Sequence, residues 1–152
     1  MSARISIQAE DFDTGAEVVA LTSGRKDVGA CVTFTGLCRD EGETLAALEL
    51  EHYPGMAEEE IARVVAQAQT RWPLLGVRVI HRYGKIAPGG NIVLVVTTSS
   101  HRRAAFESAE FLMDYLKTRA PFWKKEHRVD GLARDWVSAK DDDDRALERW
   151  EK

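Results

Sequence analysis

Ile92 to Thr98 (IVLVVTT) is an uncharged run in which six of seven residues are β-branched. Such a run suits a central strand buried on both faces, because branched side chains pack well on a pleated surface. Its flanks constrain the chain further. Pro88-Gly89-Gly90-Asn91 before it has turn chemistry. Those glycines need no phosphate to explain them, since no helix follows as a phosphate loop requires. After the run, Ser99 or Ser100 can cap a helix from His101 to about Lys117, and Pro121 stops it.

The remaining elements fit around this pair. Residues 3–8 read as a first strand, residues 14–22 as a weak helix, and Val28 to Thr35 as a buried strand ended by Gly36. A polar loop, Arg39 to Glu43, leads to a strand from Leu45 to His52. Ala46, Leu48, Leu50 and His52 share one face of it, and Glu49 and Glu51 the other. That alternation marks a sheet with one solvated face, which favours antiparallel pairing. Pro54-Gly55 turns into a helix whose Ile61, Val64, Val65, Ala68 and Trp72 recur at helical spacing, closed by Pro73. Val77 to Tyr83, Phe122 to Arg128 and Arg134 to Ser138 read as strands, with a turn at Asp130-Gly131 and a final helix from Asp141 to Trp150. Strands and helices mix without a βαβ rhythm. The expected fold is α+β, a mainly antiparallel sheet packed by helices.

At 152 residues the chain is expected to form a single domain, 1–152, with residues 139–152 a C-terminal helix or tail. No apolar run reaches the ~18 residues of a membrane span, and the polar, acidic N-terminus is wrong for a signal peptide, so a cytoplasmic location is expected. Cys31 and Cys38 imply no disulfide framework, and the four histidines have neither the spacing nor the cysteine partners of a zinc site. Neither a metal nor a cofactor is expected. Net charge is −4, which gives no reason to expect nucleic acid or an anionic membrane. Yet His101 to Arg128 holds seven Lys/Arg against four acids, or +3, leaving −7 for the remainder.

Several residues in and near that stretch could carry chemistry. His101 and Arg102 open a helix just after a strand end, where free N–H groups and a guanidinium make an anion site. Basic residues there oppose the helix dipole, and a plain solvated first turn is the alternative. On an ideal helix Ala105, Phe106, Ala109, Leu112, Met113 and Leu116 form an apolar stripe with Lys117 on its border. Lys117 either snorkels to water or, desolvated beside a pocket, serves proton transfer. Arg39 could aim a second guanidinium at the same ligand, or pair locally with Asp40 or Glu41. Phe122 and Trp123 beside Lys124 and Lys125 fit either an aromatic anchor with surface lysines or apolar packing interleaved with cations.

The runs VTFTGLCRDEGE, LELEHYPGMAEEE, RWPLLGVRVIHRYGKIAPGG, TTSSHRRAAFESAEFLMDYLKTRAPFWKKE and DWVSA resemble the large, catalytic subunit of molybdopterin synthase, the MoaE family. The resemblance runs in order from about Gly29 to Ser138. It implies an α/β-hammerhead-like fold and a sulfurtransferase that converts cyclic pyranopterin monophosphate into molybdopterin. The sulfur donor it implies is a small ubiquitin-like carrier subunit ending in a Gly-Gly thiocarboxylate, docked on a central homodimer to make a heterotetramer. The substrate-binding set carried over is Leu37, Cys38, Arg39, His101, Arg102, Lys117, Lys124, Lys125 and Glu126. Arg39, His101 and Arg102 would hold phosphate and pterin; Lys117 and Lys124 would be the catalytic pair beside the thiocarboxylate. One departure stands out: where the family often has a basic or small β-branched residue before this arginine, the chain has Leu37 and Cys38. The tail after Ser138 matches poorly. A reading from another class keeps the cationic cleft as a non-catalytic module that grips an acidic or phosphorylated tail.

Overall fold

The computed structural model describes residues 2–119, 121–131, 133–137 and 141–151. Its first sheet contains β1 (Ser2–Gln8), β2 (Ala30–Leu37), β4 (Leu74–Arg82) and β6 (Asn91–Ser99), in the spatial order β1-β4-β6-β2. The second contains β3 (Leu45–His52), β5 (Gly84–Ile86), β7 (Phe122–Arg128) and β8 (Ala133–Val137), in the order β5-β3-β7-β8. Only β1 and β4 pair in parallel among the described strands; the other pairings are antiparallel. The helices are α1 (Thr14–Thr22), α2 (Met56–Arg71), α3 (Arg102–Thr118) and α4 (Asp141–Glu148). The mainly antiparallel α+β expectation holds, with two sheets in place of one.

The β-branched run is the interior strand β6, and both of its faces are covered. Val95 packs with Val77 and Val79 under α2 and α3, against Ile61, Val65, Phe111 and Leu112. Leu94 and Val96 point the other way, to Ile80 and to Leu21 of α1. This double burial is why the segment tolerates no charge. Thr97 keeps its hydroxyl on the α3 side by donating to the Ala105 carbonyl at 2.7 Å.

Three local expectations need correction. Neither serine caps α3 with its side chain: Ser99 donates to the Pro73 carbonyl and Ser100 to that of Asp27, so the N-cap position falls to His101. Strand β2 does not end at Gly36 but runs on to Leu37 through an irregularity in its pairing with β6. The buried face of α3 is also rotated from the expected stripe. Phe106 is 61% exposed, while Phe111, left out of the stripe, is fully buried. The physical reason is that α3 is covered on a second side. Phe111 meets Trp72 edge-on at 5.2 Å and Trp150 at 5.6 Å, and Trp150 follows α4. Strand β5 lies in the segment between Tyr83 and Pro88 that carries no expected element; three residues give too little alternation to detect.

Candidate active site

The two sheets meet at one end of α3, and a pocket opens at that seam. Five elements line it: Gly36 and Leu37 at the end of β2, His81 near the end of β4, Ile92 and Val93 at the start of β6, Met113, Leu116 and Lys117 on the last turns of α3, and Phe122 and Lys124 on β7. Its cavity volume is about 80 Å³, smaller than a typical small-ligand site. Each wall follows from local sequence. A Cβ at Gly36 would stand 2.6 Å from Val93 Cγ1, so glycine lets β2 lie close at the pocket floor. The Gly89-Gly90 turn then holds the next residue: Cys38 N–H donates to the Gly90 carbonyl at 2.8 Å, and Gly89 N–H to the Cys38 carbonyl at 2.7 Å.

The expected site residues separate into three groups. Leu37, Lys117 and Lys124 are brought together in the pocket wall, from the three elements β2, α3 and β7. Glu126 shares the Lys124 face of β7, because Lys124 stands opposite Leu50 and Glu126 opposite Leu48 on β3. Arg39 is exposed on the loop just past Leu37. Cys38 turns inward to Leu50 and Ile86, with its thiol 3.7 Å from the Ile86 carbonyl; burial pushes that thiol up from its ordinary pKa. Lys125 lies opposite Glu49 on the other face of the strand, where Glu49 also accepts from His127 at 2.7 Å. The bond to His127 holds the Glu49 carboxyl below its usual range.

His101 and Arg102 form the third group. Both are exposed, at the start of α3. Lys117 is fifteen residues further on, about 22 Å along an ideal helix. The cationic cluster of the sequence is therefore split between the two ends of one helix, and within a single chain the expected phosphate-binding pair does not reach the lysine pocket. Arg103, Arg119 and Arg128 of the same cluster are ion-paired to Glu107, Glu151 and Asp130.

Sequence reasoning missed His81 as a pocket residue. Its ring is 6% exposed and stacks on Phe122 with centroids 3.7 Å apart and planes 15° from parallel. Its Nδ1 lies 2.9 Å from the Arg82 carbonyl, which requires a proton on that nitrogen. Burial, helped by the nearby cations Lys124 and Lys117 and by His52, lowers its pKa to about 4 and keeps the ring neutral. The signal was present: His81 follows Val77 and Val79 on one strand face, so alternation alone puts it inside. Among the described residues no group of three or more His, Cys, Asp or Glu side chains is placed to hold a metal, and no helix is long and apolar enough to cross a membrane.

Two lysines from separate elements, an apolar wall and no serine, threonine or cysteine among the described lining residues make a pocket chemically suited to an anionic group, in a protein of the α+β class. Comparison with known proteins sharpens that class. A family model described as MoaE protein matches residues 7–119. A molybdopterin synthase catalytic subunit of Mesorhizobium japonicum is 66% identical over 146 residues, 96% of this chain and 92% of that protein. The solved structure of the molybdopterin biosynthesis MoaE protein from Burkholderia ambifaria matches with a TM-score of 0.84 at 50% identity, over 99% of both chains. In the complex of subunits 1 and 2 of molybdopterin-converting factor from Helicobacter pylori, one chain matches with a TM-score of 0.70, over 91% of this chain and 90% of that one. At 22% identity that last likeness is one of fold. The chain belongs to the MoaE protein family.

Proposed function

We propose that this chain is the catalytic subunit of a molybdopterin synthase. It transfers sulfur from the C-terminal thiocarboxylate of a small ubiquitin-like carrier to cyclic pyranopterin monophosphate, forming the dithiolene. The observation that carries this reading is the convergence of Lys117 and Lys124 on one apolar-walled pocket at the seam of the sheets. A thiocarboxylate is an anion on a narrow peptide end. Two ammonium groups at the wall and rim of a half-closed pocket attract it and stabilise negative charge that develops during transfer, and the apolar lining beside them strengthens both effects. The sulfur nucleophile arrives with the partner, so the pocket needs no nucleophilic side chain of its own.

The pterin phosphate needs a second cationic surface. His101 and Arg102 supply it only from another copy, given their distance along α3 from Lys117. An apolar groove between β2 and α3, bordered by Val32, Phe34, Phe106 and Met113, suits the contact between two copies, and Met113 also lines the lysine pocket. Phe34 and Phe106 are 40% and 61% exposed in the single chain. The reading is therefore a homodimer whose sites each draw on both chains, with one carrier docked per site. The test mixes purified chain, thiocarboxylated carrier and the cyclic phosphate precursor, and assays dithiolene product. Product formation is expected; tight carrier binding with no product would return the chain to a non-catalytic binding module.

A further inference from the structure

Of the described side chains that line the lysine pocket, His81 alone offers a nitrogen or oxygen acceptor. Lys117 and Lys124 only donate, and the others are aliphatic, thioether or phenyl groups. The Arg82 carbonyl accepts a hydrogen bond from the Nδ1–H of His81, so the lone pair is on Nε2. Nε2 has no hydrogen-bond partner among the described residues, and it is not one of the fully buried orphan atoms. The face-to-face stack on Phe122, itself a pocket residue, fixes the plane of the ring. An imidazole that is 94% buried, held at one nitrogen and unpartnered at the other, is a built acceptor.

A Gly-Gly tail entering this pocket brings backbone N–H groups out of water. Each needs an acceptor, because a buried amide without one is costly. We propose that His81 is a recognition residue for the carrier tail, its Nε2 accepting a hydrogen bond from a backbone N–H of the terminal Gly-Gly while Lys117 and Lys124 receive the terminal anion. The inference rests on the reading that the tail enters this pocket, and it adds the group that reads the peptide rather than the charge. The neutral state that this role requires is the one that burial and the flanking lysines enforce. Glycines suit the arrangement, since a residue without a side chain lets its amide approach a ring already packed against Phe122.

The test is a double-mutant cycle on carrier affinity. The probes are the carrier ending in its ordinary Gly-Gly carboxylate and the same carrier shortened by both glycines. Three variants separate the roles of the ring. His81→Asn keeps a donor for the Arg82 carbonyl and has no acceptor at the Nε2 position; His81→Gln keeps an acceptor near the Nε2 position; His81→Phe keeps the stack on Phe122 and loses both nitrogens. Expected is a ~5- to 10-fold loss of affinity for the intact carrier in the Asn and Phe variants, near wild-type affinity in the Gln variant, and no change for the shortened carrier. Equal losses in Asn and Gln, or equal losses for both carriers, would overturn the role of Nε2 while leaving the tail in the pocket. Wild-type protein that binds both carriers alike would instead remove the tail reading itself. The Phe variant keeps the test decisive if the Asn variant fails to fold.

Discussion

Lys117 is exposed at the end of α3, yet it stands on the rim of a pocket whose second lysine comes from the other sheet. In the proposed reaction an ammonium in that position gains most when negative charge builds up during sulfur transfer, because the apolar wall screens it less than bulk water does. Lys117→Ala is expected to keep carrier binding within a few-fold and to lower single-turnover product formation by about 100-fold or more, the usual scale for losing one charge-stabilising donor. Full turnover in that variant would remove the role. His81 makes a separate prediction about pH. Its pKa is about 4 in the fold against an ordinary 6.5, burial being the largest cause. Above pH 6.5 the ring is neutral in both folded and unfolded chains. As pH falls from 6.5 toward 4 the unfolded chain takes up a proton that the folded one refuses, so stability drops through that window and levels off below it. Between pH 6.5 and 5 the contribution is about 2 kcal/mol. Denaturant melts of wild type and His81→Phe over this range should diverge by that amount, with the variant the flatter curve; parallel curves would mean the imidazole is protonated in the fold.

At the scale of elements, α3 is held in place from its far side by the segment after α4. Trp150 packs edge-on against Trp72 at 5.8 Å, and its indole N–H donates to Asp114 at 2.5 Å. Arg149 bridges Glu110 and Asp114, and Arg119 pairs with Glu151. Those contacts fall on the two turns of α3 that carry Met113, Leu116 and Lys117. Trp150→Ala removes a half-buried aromatic and the partner of a carboxylate, and is expected to cost about 2–4 kcal/mol. Turnover should fall with carrier affinity little changed, because Lys117 loses its fixed backbone. A thermal melt with no shift would show that the clamp carries no stability. Periodicity made most elements legible: β3, α1 and β7 begin and end where alternation and turn residues place them. It failed where the decisive contact was long-range. Phe111 does not belong to a single apolar stripe, and only the tryptophans that cover it from α2 and from beyond α4 explain its burial. The cap of α3 failed for a similar reason, since Ser99 and Ser100 bond to Pro73 and Asp27, distant in sequence.

For the whole molecule, the candidate site was legible as residue types and not as a place. Charge counting found a cationic stretch from His101 to Arg128, but the helix within it holds Arg102 and Lys117 about 22 Å apart. Helix geometry singled out Lys117, aromatic neighbours singled out Lys124, and resemblance paired the two; the fold brought them together with Leu37, strand alternation sent Lys125 to the opposite face, and the bonds to the Gly89-Gly90 turn hold Cys38, just past β2, in the core. The distance along α3 turns into a prediction about assembly. If each site takes Lys117 from one chain and Arg102 from its partner, Lys117→Ala and Arg102→Ala chains are each inactive alone. Mixed, they form a heterodimer in which one site carries both substitutions and the other carries neither. Random pairing makes half the dimers mixed, each with one intact site, so activity should return to roughly a quarter of wild type. The measurement is dithiolene formation after the two variants are unfolded and refolded together, against the same variants refolded apart. If Lys117 and Arg102 instead served a site within one chain, every site in the mixture would lack one of them and no activity would return.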